Sequence, residues 1–191
     1  MLLKKFIILL RNLICILGLM IISPFIFFVG VVLTIEDGMP IFFIQKRIGK
    51  DQLPFQIIKI RTLKKESPNT GTHLLDRRYQ LVSGKILRKL KLDEFPQLVN
   101  VIKGDINLIG PRPGLVSQTE LARERNMRGV FKVKPGITGL SQVLGFDMSN
   151  PLKLAEIDEL YIKKKSIYID SLILLGTFLK FPRKYLLKLL T

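Results

Sequence analysis

The stretch NLICILGLMIISPFIFFVGVVLTI, residues 12–35, contains no charged side chain. At about 1.5 Å of rise per residue, a straight helix over it reaches across a hydrocarbon core of roughly 30 Å. A cleaved signal peptide is the poorer reading, because the run is too long and no small-residue cleavage site follows. Ser23-Pro24 falls in its middle. Proline removes a backbone donor and crowds the preceding turn, so a sharp bend is expected there, with the Ser23 hydroxyl available to the freed carbonyl. Lys4, Lys5 and Arg11 precede the run, and Lys46, Arg47 and Lys50 follow it. Basic flanks favour the cytoplasmic side, so both ends read as cytoplasmic. Sequence physics leaves two forms open: a helix that spans, and one that enters, breaks at Ser23-Pro24 and returns.

Composition supports a membrane setting for the rest. The 191 residues have room for one compact domain beside a membrane segment. Lys and Arg number 31 against 15 Asp and Glu, a formal net charge of +16 that asks for an anionic partner. With 48% hydrophobic residues and no Trp, the profile suits a membrane surface better than a soluble nucleic-acid binder. The single cysteine, Cys15, excludes an internal disulfide and a cysteine cluster for zinc, and reads as a small buried hydrophobe. His73 is the single histidine, so catalysis or metal binding built on several histidines is excluded; it reads as a surface residue.

Beyond the apolar run, Ile41 to Ile44 and Phe55 to Leu63 read as strands around the turn signal Gly49-Lys50-Asp51. Alternation sets Lys59 and Arg61 on one face, either as an anion-binding pair or as two solvated charges at a strand edge. Residues 67–72 are polar and loop-like. Gly84 to Leu92 carries Ile86, Leu87 and Leu90 at helical spacing among basic residues. A helix is expected from Asp93 as N-cap to Gly104, with Pro96 in its first turn and Leu98, Val99 and Ile102 buried. Lys134-Pro135-Gly136-Ile137-Thr138-Gly139 is a second loop, and Leu154 to Lys165 is amphipathic. Ile167 to Leu190, interrupted by Pro182 and basic near its end, reads as one or two helices lying on the membrane.

Two stretches carry chemistry. Leu92-Asp93-Glu94-Phe95-Pro96-Gln97-Leu98 places two adjacent carboxylates after a basic segment, and Gly110-Pro111-Arg112-Pro113 holds an arginine in a preset direction. An adjacent acid pair is most often only a favourable helix start. Here Lys59, Arg61, Arg88 and Arg112 are candidate phosphate ligands, and hard oxygen donors with phosphates are how proteins hold magnesium. A carboxylate is also a competent nucleophile toward phosphorus. Neither a P-loop nor a dinucleotide-binding glycine pattern is present.

With these motifs in view, the chain resembles the bacterial sugar transferase family, the small monotopic phosphoglycosyl transferases. The resemblance rests on the apolar run with Ser23-Pro24, Ile58-Lys59-Ile60-Arg61-Thr62, Leu87-Arg88-Lys89 and the Asp93-Glu94 stretch. Asn100-Val101-Ile102-Lys103-Gly104-Asp105, Gly110-Pro111-Arg112-Pro113, Lys134 to Gly139 and Gln142-Val143 extend it over nearly the whole chain. It implies an α/β, mainly α, membrane-associated fold: a re-entrant helix over 1–36 broken at Ser23-Pro24, a small cytoplasmic domain over 37–166 with a short β-hairpin, and amphipathic interfacial helices over 167–191. It implies transfer of a sugar-1-phosphate from a UDP-sugar to polyprenyl (undecaprenyl) phosphate with release of UMP, the first membrane step of polysaccharide or glycoprotein-glycan assembly. The setting implied is the cytoplasmic face of the bacterial inner membrane, with Mg2+ as cofactor.

Carried over residue by residue, Asp93 matches the family's nucleophile, which forms a covalent phospho-sugar intermediate, and Glu94 the adjacent metal-binding acid. Lys59, Arg88 and Arg112 match basic active-site positions. Asp158 matches a recurrent acid with a metal-site or structural role. Two departures stand out. Leu140 replaces a frequent Trp, and Phe146 replaces an arginine implicated in donor recognition, for which Arg123, Arg125 or Lys134 is a candidate substitute. The alternative from another class is a membrane-tethered basic module for anionic lipid or nucleic acid. That reading leaves Asp93-Glu94 and Pro111-Arg112-Pro113 unexplained, and no nucleic-acid motif is present, so nucleic acid is not an expected partner.

Overall fold

The computed structural model describes residues 2–68 and 76–190; His73 and residues 69–72 of the expected loop lie outside them. The fold is mainly helical α/β, with a two-stranded hairpin and one long apolar N-terminal helix. Helix α1 is Leu2–Asp37, 36 residues or about 50 Å. It extends past the charge-free run at both ends and is long and apolar enough to cross a membrane. The element does not end at Ser23-Pro24. Pro24 has no N–H to give the Met20 carbonyl four residues earlier, and the Ser23 hydroxyl donates to that oxygen instead, at 2.9 Å. Phe6, Leu9, Met20, Ile21, Phe27 and Phe28 are exposed along it, whereas Cys15, Val29 and Leu33 are buried.

The chain divides into two compact units, one of Met1–Gln45 with Gln56–Gly104, the other of Lys46–Phe55 with Asp105–Thr191. Strands β1 (Phe42–Ile48) and β2 (Pro54–Ile60) pair; the turn between them, where Asp51 and Gln52 take left-handed backbone angles, is counted in the second unit, and Phe42–Gln45 and Gln56–Ile60 are in the first unit. The unit's core joins Val29 and Leu33 of α1 to Ile60 of β2, Leu81, and Leu87 of α2 (Val82–Lys89). No side chain of its own caps the start of α2. Glu36 does so from the end of α1, accepting the N–H of Val82 at 2.6 Å and of Ser83 at 3.3 Å, where the positive end of the helix favours a carboxylate. Helix α3 (Gln97–Lys103) ends at Gly104, as expected, with φ of 84°. Leu98 of α3 lies against Gly18 of α1.

In the second unit, β3 (Asn107–Ile109) and β4 (Gly136–Thr138) pair in parallel, Asn107 opposite Gly136 and Ile109 opposite Thr138, with α4 (Thr119–Met127) between them in sequence. A side chain at Gly136 would stand 2.1 Å from the Gly110 nitrogen, so this crossing requires glycine. Helix α5 (Leu140–Leu144) follows, then α6 (Pro151–Lys164), whose cap Asn150 accepts from the Lys153 N–H at 3.0 Å with Pro151 in the first turn. The Ile167 to Leu190 segment forms two helices, α7 (Ile167–Phe178) and α8 (Arg183–Leu187), separated around Pro182. Leu140, Val143, Tyr161, Ile169, Ile173 and Leu186 form their common core. Ile167, Tyr168, Phe178, Phe181 and Tyr185 remain exposed.

Candidate active site

The acid pair sits differently from its expected place. Leu92–Glu94 is one turn of 3-10 helix entered from Lys91 at φ 57°, and α3 begins separately at Gln97 with Pro96 as its cap. Asp93 is therefore not the N-cap. Pro96 supplies no N–H, so the ladder lapses there into three-residue bonds: Phe95 N–H to Leu92 oxygen at 3.3 Å and Leu98 N–H to Phe95 oxygen at 3.0 Å. The buried face of α3 is Gln97, Asn100 and Val101, not Leu98, Val99 and Ile102. Asp93 itself is buried, at 8% exposure.

Asn100 explains why a polar residue occupies that face. Its Oδ1 accepts the Ile58 N–H at 3.1 Å and its Nδ2 donates to the Gln56 carbonyl at 2.7 Å, which ties α3 to β2. Lys59 follows Ile58 on β2, and its Nζ reaches Glu94 Oε1 at 2.9 Å. Both side chains are mostly withdrawn from solvent, at 14% and 16% exposure, so water screens the pair less than a surface ion pair.

Arg88 is set by a close approach one turn earlier. A side chain at Gly84 would lie 2.2 Å from the Thr62 carbonyl oxygen, so glycine alone lets α2 rest on that segment. Arg88 Nε then donates to Thr62 Oγ1 at 2.7 Å. The Lys59–Arg61 anion pair does not form. Arg61 lies past the end of β2, is buried, and its guanidinium is committed to the Asp37 carboxylate and the Gly38 carbonyl.

Arg112 belongs to the second unit. The backbone on both sides of it is held: the Pro111 carbonyl accepts the Gly136 N–H at 2.9 Å, and the Pro113 carbonyl accepts Arg47 Nη1 at 3.2 Å. In the same unit, Asp158 Oδ2 accepts Arg125 Nε at 3.0 Å and Nη2 at 2.6 Å, while Oδ1 accepts the Ser141 hydroxyl at 3.2 Å. Burial pushes the Asp158 carboxyl up, against the charge and hydrogen bonds of Arg125 and the Ser141 bond. Tyr161 donates to Asp170 Oδ1 at 2.8 Å; burial, then that carboxylate, holds its phenol well above the ordinary range.

The bacterial sugar transferase family model matches residues 4–184. The chain belongs to that family. Among its relatives is the uncharacterized sugar transferase EpsL of Bacillus subtilis, 39% identical over 158 residues, covering 83% of this chain and 78% of EpsL. A UDP-N-acetylgalactosamine-undecaprenyl-phosphate N-acetylgalactosaminephosphotransferase of Aeromonas hydrophila is 36% identical over 163 residues, 81% of this chain and 38% of that protein. A UDP-glucose:undecaprenyl-phosphate glucose-1-phosphate transferase of Caulobacter vibrioides is 34% identical over 167 residues, 81% of this chain and 61% of that protein. The chain thus spans most of EpsL, 61% of the Caulobacter protein and 38% of the Aeromonas protein.

Seen as a sugar transferase, the chain has a structural reason for its Phe146. The ring packs on the core of α5 to α8 and also on a second cluster of Leu121, Leu154 and Ala155, an apolar role that an arginine would not fill. Of the candidate substitutes, Arg125 is engaged in the buried pair with Asp158, which withdraws it from donor binding. For a metal, no group of three or more His, Cys, Asp or Glu comes together among the described residues. Magnesium is commonly held by one or two carboxylates together with substrate phosphates, and Asp93 with Glu94 fits that smaller donor set. Local sequence around Asn100 and Gln97 points to no role for either side chain. Only the position of β2 shows what Asn100 binds.

Proposed function

We propose that this sugar transferase moves a sugar-1-phosphate from a UDP-sugar to undecaprenyl phosphate and releases UMP, as the first membrane step in building a glycoconjugate. The observation that carries the reading is the buried Asp93 beside Glu94, with Lys59 held on Glu94 at 2.9 Å. The names of the Aeromonas and Caulobacter relatives share the UDP donor and the undecaprenyl-phosphate acceptor and differ in the sugar, which supports the reaction class and leaves the sugar unassigned.

In the proposed course, an Asp93 carboxylate oxygen bonds to the β-phosphorus of the donor. The phosphoanhydride bond to UMP breaks, and UMP leaves with that electron pair. An oxygen of undecaprenyl phosphate then attacks the same phosphorus and returns Asp93 as a free carboxylate. Magnesium, when held by Glu94 with the donor diphosphate, supplies neutralisation of charge on the leaving phosphate. Lys59 orients Glu94, and Arg88 and Arg112 are assigned to phosphate oxygens, for which a guanidinium is suited. For Asp158 we take the structural of its two implied roles, since both its oxygens accept protein hydrogen bonds.

The test uses full-length protein in detergent with magnesium and a panel of UDP-sugars. Sustained, multiple-turnover UMP release that needs magnesium and undecaprenyl phosphate is expected for one or a few sugars. Without acceptor, intact mass should show a single phospho-sugar adduct. No release with any donor in the panel would remove this reading.

We also propose that α1 is re-entrant, that α7 and α8 lie in the interface, and that the site faces the cytoplasm at the bacterial inner membrane. Basic residues before and after the charge-free run 12–35 and the exposed apolar residues of α7 and α8 support this. A Phe6→Cys variant with Cys15→Ser should react with a membrane-impermeant maleimide from the cytoplasmic side; labelling from the opposite side alone means the helix spans.

A further inference from the structure

Gln97 is 1% exposed, and its Nε2 has no hydrogen-bond partner among the described residues. Buried amide donors are nearly always paired, so one left over marks a place where an acceptor arrives. Its companion on the same buried face of α3, Asn100, has both ends of its amide bonded to β2. Gln97 therefore does not share that clamp. It lies four residues after Asp93 and three after Glu94, yet neither carboxylate takes its N–H. An N–H donor repels a cation and gains nothing from an apolar group. An oxygen acceptor satisfies it, and the one that the proposed reaction brings to Asp93 is a phosphoryl oxygen.

We infer that Gln97 is a phosphoryl-binding residue, whose side-chain amide donates to a non-bridging oxygen of the phosphoryl group reacting at Asp93. The inference rests on the function proposed above. An amide N–H donates to a phosphoryl oxygen and strengthens that bond as negative charge grows there.

The experiment compares wild-type, Gln97→Met and Gln97→Glu enzymes, full length in detergent, by UMP release, phospho-sugar adduct formation and thermal unfolding. Methionine keeps the length and removes the donor; glutamate keeps the shape and replaces the donor with an acceptor. Gln97→Met is expected to unfold at or above the wild-type temperature, because it removes a buried unpaired donor. Its kcat and its rate of adduct formation should fall by about 10²-fold, with the donor KM changed by less than about threefold. Gln97→Glu should be slowed at least as much. The inference is overturned by a kcat within about threefold of wild type, or by a rise in KM at unchanged kcat. It is also overturned if both variants lose folded protein and their activity tracks the folded fraction, since that marks a packing role. Wild-type enzyme that forms no adduct and releases no UMP defeats the proposed function first, and this inference with it.

Discussion

Asp93→Asn is expected to abolish the phospho-sugar adduct and to lower UMP release by ~10³-fold or more, while the protein folds and unfolds as wild type does. The substitution keeps the side chain's shape in a buried position and replaces the carboxylate with an amide that cannot displace UMP. The 2.9 Å contact between Lys59 and Glu94 does not involve the substituted group. The loss should therefore appear in kcat with little change in donor KM. Glu94→Gln separates the two acids. It removes the partner of Lys59 and weakens the proposed metal contact, so its defect should ease as magnesium is raised, whereas that of Asp93→Asn should not. Full turnover and an intact adduct in Asp93→Asn would move the nucleophile elsewhere.

The largest stability effect is expected at Asp158. Asp158→Ala leaves the Arg125 guanidinium, 3% exposed, without its bidentate carboxylate and takes the acceptor from Ser141. Removing one member of a buried ion pair costs about 3–5 kcal/mol, much of it for the charge left behind. Because the two ions also paid for their desolvation, the double substitution Asp158→Leu with Arg125→Met should recover much of the loss. Denaturant or thermal unfolding of the three variants checks this. If Asp158→Ala instead unfolds as wild type does and only raises the magnesium requirement, Asp158 is a metal ligand rather than part of the scaffold.

The outline of both units was legible wherever local chemistry decides. The glycine stop at Gly104, the turn after Gly49 and the separation of α7 from α8 around Pro182 follow from backbone preferences of the residues present. Other features were not legible. Hydrophobic periodicity put Leu98, Val99 and Ile102 inside, but a polar side chain is buried wherever a distant strand offers it hydrogen bonds, and Asn100 meets Gln56 and Ile58 in that way. Alternation grouped Lys59 with Arg61, but β2 ends at Ile60 and Asp37 claims the arginine. Asp93 looked like a cap by residue type, yet Pro96 breaks the ladder between it and α3.

By itself the sequence determined the apolar N-terminal helix, the basic excess, the family and the adjacent acids, because each depends on residue identity and short spacing. The tertiary structure decided which charges meet: Lys59 with Glu94, Arg61 with Asp37, Arg125 with Asp158. It also left the Gln97 side-chain N–H without a hydrogen-bond partner among the described residues, while both ends of the Asn100 amide meet β2. The physical reason is range. Propensity and capping act over a few residues, whereas ion pairs and buried hydrogen bonds join positions 24 to 44 apart in these cases, and no local pattern specifies them.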